Sequence, residues 1–391
     1  MHLKEYIQAT EITALFSFCA YLFYPILGPY AKTLGLTEFQ IGLMFAIFPL
    51  TLILSSSISG SLSDSIGRKK VIMYGIIVEL VAIICYLLGT PFLMLIARFL
   101  EALAFASVIF VGLARIQDSL DEKTRGKYSG IALTLFQIGK IIAPVLGGLI
   151  ADYWFIKGPF LFSAFGLLIM LWLVALHEKM SFGHHFTRSE FNMFRNVKAF
   201  FSYRGLRGLG LLGIVMHASI PLTLVFIPIY ITEGFGLSYQ YIGYALLAME
   251  FFMLFQWAVG KLADRFDKAK ITLAGCLVFG VGMLILSLAP GYGHFIAVML
   301  FIGIGASFWN VGCWSYMSEI GTRIRREGLV VGTYFSVAKV GSFLSFIFGG
   351  MVVHYMGVKY LMVIVGVLIL VGTFTASFFM LTQPHKKRRS R

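Results

Sequence analysis

Residues 60–70 read GSLSDSIGRKK, and residues 260–270 read GKLADRFDKAK. Each stretch is charged and marked by glycine, and each separates two long apolar runs. IGLMFAIFPLTLILSSSI comes before the first and VIMYGIIVELVAIICYLL follows it. Gly60 and Asp64 recur as Gly260 and Asp264, 200 residues later in a chain of 391. The correspondence extends outward. GLTEFQIG at 35–42 matches GLSYQYIG at 236–243, Ala106-Ser107 matches Ala306-Ser307, Asp118 falls close to Glu319, and Lys140 falls close to Lys339. A shift that stays near 200 residues means that the second half of the chain repeats the first.

The runs between these landmarks set the class. Hydrophobic residues make up 59% of the chain and charged residues 13%, with a mean hydropathy of +0.86. Soluble domains carry about 25% charged residues. A helix crossing the hydrocarbon core needs about 20 mostly apolar residues. The sequence divides into twelve such spans, at 8–30, 39–61, 70–89, 92–116, 129–151, 159–177, 208–231, 240–262, 271–289, 294–317, 329–353 and 358–381. The expected fold is therefore an all-α membrane protein, two pseudo-symmetric six-helix bundles related by a parallel repeat. The expected domains are an N-terminal bundle at 1–177, a cytoplasmic linker at 178–207, a C-terminal bundle at 208–381 and a basic tail at 382–391. An amphipathic helix within the linker, near 190–203, is expected at the membrane interface.

The net charge of +14 is not distributed as a nucleic-acid surface would be. With both ends placed in the cytoplasm, 25 of the 32 Lys and Arg residues fall in cytoplasmic segments and 3 in outside loops. The outside ones are Lys32, Lys157 and Lys359. This asymmetry predicts cytoplasmic termini. The tail KKRRSR is read as a topology determinant, with binding to anionic headgroups as its second role. The first span is too long for a secretory h-region and lacks a small-residue cleavage site, so it reads as an uncleaved anchor. Cys19, Cys85, Cys276 and Cys313 all fall inside spans and read as small buried apolar residues. His184 and His185 in the linker read as solvated rather than as metal ligands. Neither a phosphate-binding glycine loop, nor zinc-ligand spacing, nor a nucleophile triad is present, so no cofactor and no enzymatic activity are expected.

These stretches together resemble the major facilitator superfamily. GSLSDSIGRKK looks like its loop signature, in which Gly60, Asp64, Gly67 and Arg68 hold the defining places. Ser65 stands where that family prefers Arg, and Arg265 restores it in the second copy. YPILGPY in span 1, RFLEALAFAS in span 4 and DEKTRGKYSG before span 5 extend the likeness along the chain. GKIIAPVLGG is similar to the antiporter signature of the drug–proton antiporter branch, carried here by Gly139, Ala143, Pro144, Gly147 and Gly148. Ala143 replaces a Gly of that pattern. In span 4, Glu101 and Ala102 replace a Gln and a Gly.

The resemblance implies a role for the repeated loop. Asp64 would sit at the N-terminus of span 11 in the other half, where the helix dipole favours a carboxylate. Asp264 would do the same at span 5. Arg68 should meet Asp118, and Lys268 should meet Glu319. Such contacts would latch the outward-open state of the transporter, and opening inward would break them. The alternative is that these charges only fix topology.

Charges inside the spans mark the expected site, because each is costly near the bilayer centre. Glu101, Lys140 and Glu250 lie at similar depths, roughly 17–22 Å from the cytoplasmic ends of their helices at about 1.5 Å per residue. Lys140 is expected near Glu101, Glu250 or both. Arg98 and Glu101 are three residues apart and so share a helix face. Proton uptake on a carboxylate would loosen such a pair, and a purely structural ion pair is the rival reading. Lys339 is expected to face the cavity and attract an anion. Glu79, on a span peripheral in the family fold, reads as lipid-facing or packed, while Glu11 and Arg115 read as snorkelling to the inner surface.

By analogy with the family, spans 1, 4, 7 and 10 line the cavity. The candidates are Tyr24, Arg98, Glu101, His217, Trp309, Asn310 and Trp314, with His217 read either as a proton carrier or as a satisfied core histidine. Pro25, Pro29, Pro221 and Pro228 weaken spans 1 and 7 where gates would bend. The functional expectation is a monomeric transporter in the cell membrane that works by alternating access. Its partners would be a small-molecule substrate, protons and membrane lipids. Proton-coupled efflux of amphipathic compounds leads, a metabolite or organic-anion carrier follows, and a non-transporting sensor is the rival from another class.

Overall fold

The computed structural model describes residues 3–121, 125–176, 193–324 and 327–381. Among the described residues all regular structure is helical, and twelve helices are long and apolar enough to cross a membrane. They are span 1 (Leu3–Thr33), span 2 (Glu38–Ser55), span 3 (Arg68–Leu88), span 4 (Pro91–Asp118), span 5 (Tyr128–Tyr153) and span 6 (Gly158–Leu176) in the first half. The second half holds span 7 (Arg204–Gly234), span 8 (Gln240–Ala263), span 9 (Lys268–Ser287), span 10 (Tyr292–Ile324), span 11 (Val330–Met356) and span 12 (Val358–Met380). In lipid the backbone N–H and C=O groups must be satisfied within a helix or a closed barrel, and apolar runs of about 20 residues fit the helix rather than the shorter barrel strand.

Short polar signals set the ends. Thr37 and Gln40 form a reciprocal capping box at the start of span 2. Thr90 accepts from the Leu93 N–H ahead of span 4, with Pro91 at the first helical position. Gly67 joins spans 2 and 3 at φ +95°, a conformation open to glycine and strained for other residues. The second copy of the loop solves the same turn differently. Asp267 stands there in extended geometry, and its side chain accepts from the Ala269 and Lys270 N–H groups at 2.8 and 3.2 Å.

Three spans are interrupted. Span 4 contains a π-helical stretch at Ala106–Phe110. Span 7 is a regular α-helix only over Arg204–His217 and then passes through Ser219–Pro221 and two π-helical stretches, Leu222–Phe226 and Tyr230–Gly234. Pro221 and Pro228 both fall in this interrupted part, and neither can donate to the helical ladder. Pro25 and Pro29 instead sit inside the continuous helix Leu3–Thr33. In span 8 the α-helix Gln240–Glu250 gives way to a 3₁₀ stretch, Phe251–Phe255.

By contacts the chain forms two compact units. One gathers Met1–Ser189, Pro221–Leu247 and Phe346–Tyr355; the other gathers Glu190–Ile220, Ala248–Ser345 and Met356–Arg391. The first unit thus holds spans 1–6 together with the latter part of span 7, the start of span 8 and the end of span 11. An amphipathic helix, Met193–Ser202, precedes span 7. The linker histidines and the basic tail lie outside the described residues.

Of the two places expected for Glu79, the packed one holds: it is 1% exposed, on the face of span 3 that includes Gly75, Ala82 and Tyr86. One expectation is corrected. Arg115 does not snorkel. It is buried, and its Nη2 donates to Gln8 Oε1 of span 1 at 3.3 Å. A polar partner inside the bundle replaces the water that snorkelling would reach. Glu11 is exposed. The four cysteines are free and buried.

Candidate functional site

The first unit contains a polar cluster within its apolar interior. Arg98 is fully buried and Glu101 is 3% exposed, both on span 4. Arg98 Nη1 donates to Glu101 Oε2 at 2.5 Å, and the Tyr86 hydroxyl of span 3 donates to the same oxygen at 2.5 Å. The other guanidinium arm reaches the Tyr24 hydroxyl of span 1 at 3.3 Å. The rings of Tyr24, Phe45 and Phe48 surround the guanidinium, with centroids 5.0, 4.5 and 4.7 Å from its carbon. Such an aromatic box favours a delocalised cation, and the i, i+3 spacing in span 4 makes the ion pair. Glu101 therefore takes its partners from Arg98 and Tyr86. Lys140 Nζ lies 5.7 Å from the centre of the Tyr21 ring.

The second unit brings together His217, Trp309, Tyr334 and Lys339. His217 packs edge-on against the Trp309 and Tyr334 rings at 5.8 and 6.3 Å and lies within electrostatic range of Lys339. Its Nδ1 is 2.9 Å from the Gly213 carbonyl, which can only accept, so Nδ1 carries a proton. Ser342 donates to the His217 carbonyl at 3.1 Å. His217 is thus a buried residue with its ring held in place. Asn310 is half-buried, and Trp314 is exposed and packs on Phe335. Glu250 ends the α-helical part of span 8, at the change to 3₁₀ geometry.

The repeated loop supplies the two ion pairs its sequence suggested. Arg68 Nη2 is 2.5 Å from Asp118 Oδ2, and Lys268 Nζ is 3.1 Å from Glu319 Oε2. Arg323 also reaches Glu319, at 3.2 Å. The positions of Gly60, Asp64 and Asp264 lie outside the described side chains. Gly260 sits in the helix Gln256–Arg265 with open space around it.

At the opposite ends of the spans, the structure shows contacts that the sequence reading missed, all within the first unit. Asp152 ends span 5 and caps span 8: its Oδ1 accepts from the Tyr239 N–H and its Oδ2 from the Gln240 N–H, both at 2.7 Å. A carboxylate at a helix N-terminus gains from both the free N–H groups and the dipole. Burial raises the Tyr239 phenol pKa, with the Asp152 charge adding to the shift. Glu38, at the start of span 2, binds Lys32 at 2.6 Å and His354 of span 11 at 3.0 Å, while Lys32 also approaches Glu233 at 3.7 Å. These charges stand at helix ends, where charge is ordinary, so nothing in the pattern singled them out.

The antiporter-like glycines belong to the same joint. A side chain at Gly147 would run into the Leu22 carbonyl of span 1, and one at Gly148 would meet the Tyr239 carbonyl of span 8 at 2.6 Å. Gly139 lies against Ala14 and Phe18 of span 1, and Ala143 is fully buried. Gly243 of span 8 packs against the backbone of Pro144 and Val145. These residues therefore allow three backbones to approach closely, the usual use of small residues between membrane helices. Among the described residues no group of three or more His, Cys, Asp or Glu side chains is placed to hold a metal ion.

The family model described as Major Facilitator Superfamily matches residues 12–323, and a second match covers 209–391. The chain belongs to the major facilitator superfamily. This is a family of transporters, not enzymes, and the chain is a multi-pass membrane protein. It is 26% identical over 347 residues to an uncharacterised MFS-type transporter of Methanocaldococcus jannaschii, covering 85% of this chain and 87% of that protein. It is 28% identical over 308 residues to the chloramphenicol resistance protein CraA of Acinetobacter baumannii, covering 74% and 72%. It is 24% identical over 332 residues to the quinolone resistance protein NorA of Staphylococcus aureus, covering 83% and 84%. Solved structures with this fold include the nucleoside transporter NupG, with TM-score 0.77, 14% identity and coverage of 97% and 99%. A D-xylose-proton symporter matches with TM-score 0.75, 16% identity and coverage of 97% and 98%. These last likenesses establish the superfamily fold and leave the substrate open.

Proposed function

We propose that this superfamily member exports small amphipathic compounds from the cell in exchange for protons, as a monomer in the cell membrane with both termini in the cytoplasm. The observation that carries the proton coupling is the buried Arg98–Glu101 pair inside its aromatic box. An ion pair withdrawn from water is held by its geometry, and neutralising one member frees the other at high cost. Protonation of Glu101 would release Arg98 and Tyr86 together, which couples one proton to a rearrangement of spans 1, 3 and 4. The resemblance to CraA and NorA, resistance proteins by name, supports efflux as the direction and drug-like compounds as the cargo. With cytoplasmic termini, the Asp152 and Glu38 contacts lie on the outer side and would hold it shut. The pairs Arg68–Asp118 and Lys268–Glu319 would lie on the cytoplasmic side.

A second reading, a metabolite or organic-anion carrier, is favoured by Lys339 beside His217 in the second unit. One experiment separates the two. Cells expressing the chain are loaded with a lipophilic cationic dye, and extrusion is followed with and without a protonophore. Extrusion that is abolished by the protonophore and reduced at least about tenfold in Glu101→Gln supports the efflux antiporter. No extrusion from correctly inserted protein refutes it and turns the test to anion uptake and Lys339→Gln.

A further inference from the structure

Among the described residues, Glu79 is the one fully membrane-embedded carboxyl of the first unit that the transport scheme above does not use. It sits near the middle of span 3 and is 1% exposed. Neither of its oxygens has a hydrogen-bond partner among the described residues. An ionised carboxylate placed there would give up its hydration and receive no donor in return. The neutral acid loses far less, and it adds a donor of its own.

The neighbouring charges point the same way. The ionisable groups within electrostatic range are Arg98 and Glu101 of span 4 and Cys19 of span 1. Tyr86 lies two turns along span 3, with its hydroxyl committed to Glu101. Span 6 also packs on span 3 and has no ionisable side chain between Gly158 and Leu176. Span 2 carries one acid, Glu38 at its start, and Asp64 follows it in the sequence. The far part of span 4 carries Arg115 and Asp118, which are directed to Gln8 and Arg68. One guanidinium thus lies within electrostatic range of two carboxyls, and it is already bound to Glu101. Charge balance inside the membrane needs one proton, and the carboxyl without donors is where it resides.

We infer that Glu79 is a proton-binding site, and that Glu79, Arg98 and Glu101 together store one exchangeable proton in the membrane interior. Transfer of that proton breaks the O–H bond on Glu79 and forms one on Glu101. The net charge of the three groups does not change, and Arg98 is then left to balance Glu79. A carboxyl on span 3 therefore feeds the residue whose protonation opens the ion pair. The resting protonation of Glu79 is independent of the cargo. Its role as donor rests on the proton-coupled reading, and the two fail in separate measurements, one spectroscopic and one of dye extrusion.

The test is infrared spectroscopy of the full-length protein in lipid vesicles at pH 7, where a protonated carboxylic acid has a C=O stretch distinct from that of carboxylate. Wild type shows a buried-acid band, and Glu79→Gln loses it. Glu101→Gln loses it as well, because Arg98 then takes Glu79 as its counterion. Absence of the band in wild type, or its survival in either variant, overturns the inference. A second measurement needs no variant. Dicyclohexylcarbodiimide, which modifies protonated carboxyls in apolar surroundings, should label Glu79 in the wild-type protein, as read by mass spectrometry. Labelling of Glu101 with Glu79 untouched reverses the assignment. Suppression of labelling by Na⁺ but not by K⁺ would make Glu79 a metal-cation site and equally overturn it.

Discussion

Arg98 shows what one residue can carry in this fold. It is fully buried, paired with Glu101 and faced by three aromatic rings. Removing one partner of a buried ion pair leaves an uncompensated charge and costs about 3–5 kcal/mol. Arg98→Ala should therefore lower the thermal midpoint of the purified protein far more than Glu101→Gln, which keeps an acceptor near the guanidinium. Arg98→Lys should fall in between: it preserves the charge but not the planar fork or the stacking. An Arg98→Lys midpoint equal to that of wild type would show that the aromatic box contributes nothing. Both members of this pair were legible in the sequence, because a charge within an apolar run has no cheap explanation. Their partners were less so. Tyr86 and Phe45 are ordinary residues in an apolar helix, and only packing distinguishes them. Glu79 was left open between the lipid face and a packed face for a related reason. Span 3 is apolar around its whole circumference, so periodicity could not tell its buried face from its lipid face.

At the scale of elements, the glycine pattern GKIIAPVLGG was legible as a motif and not as a contact. The structure gives the contact: Gly147 lets span 5 lie against span 1, and Gly148 lets it lie against the start of span 8. The nearest atoms in both cases are backbone, which cannot rotate away. Gly148→Leu should therefore abolish transport and reduce the yield of folded protein. Gly130→Ala, on the same helix with open space around it, should leave both intact and add about 0.5–1 kcal/mol of helix stability. The measurement is dye extrusion normalised to the monodisperse fraction on size exclusion. Normal extrusion by Gly148→Leu would mean that spans 5 and 8 do not need this approach to work. The interruptions show the limit of element-level reading. Pro221 and Pro228 marked the irregular part of span 7, yet Pro25 and Pro29 marked nothing in span 1, which stays continuous. Proline removes a donor from the ladder, and neighbouring packing decides whether the helix then changes its winding.

At the scale of the whole molecule, the repeat near 200 residues made the twelve spans and the superfamily legible, because topology is written in periodic landmarks. The grouping of spans by contact was not legible in the same way. The first unit extends past the sequence halves to take in the end of span 7, the start of span 8 and the end of span 11. One polar contact of that extension is made by Asp152, whose two oxygens hold the first two N–H groups around the start of span 8. Replacing a helix-capping side chain by Ala costs about 0.5–2 kcal/mol. If this cap is made in only one of the transporter's two states, Asp152→Ala shifts their ratio by the same free energy, roughly 2- to 30-fold. The shift is measurable with spin labels at Trp154→Cys and Ser238→Cys, both exposed and flanking the contact, while the four native cysteines are buried. Asp152→Ala should move the distance distribution between these labels toward a longer component, with the transport rate falling as one state becomes over-populated. Restoring a capping side chain with Asp152→Asn should return only part of the short component, since its single amide oxygen can replace one of the two carboxylate acceptors while its NH2 group cannot accept from the other N–H. An unchanged distribution in Asp152→Ala would show that the cap stabilises span 8 itself and takes no part in the exchange between states.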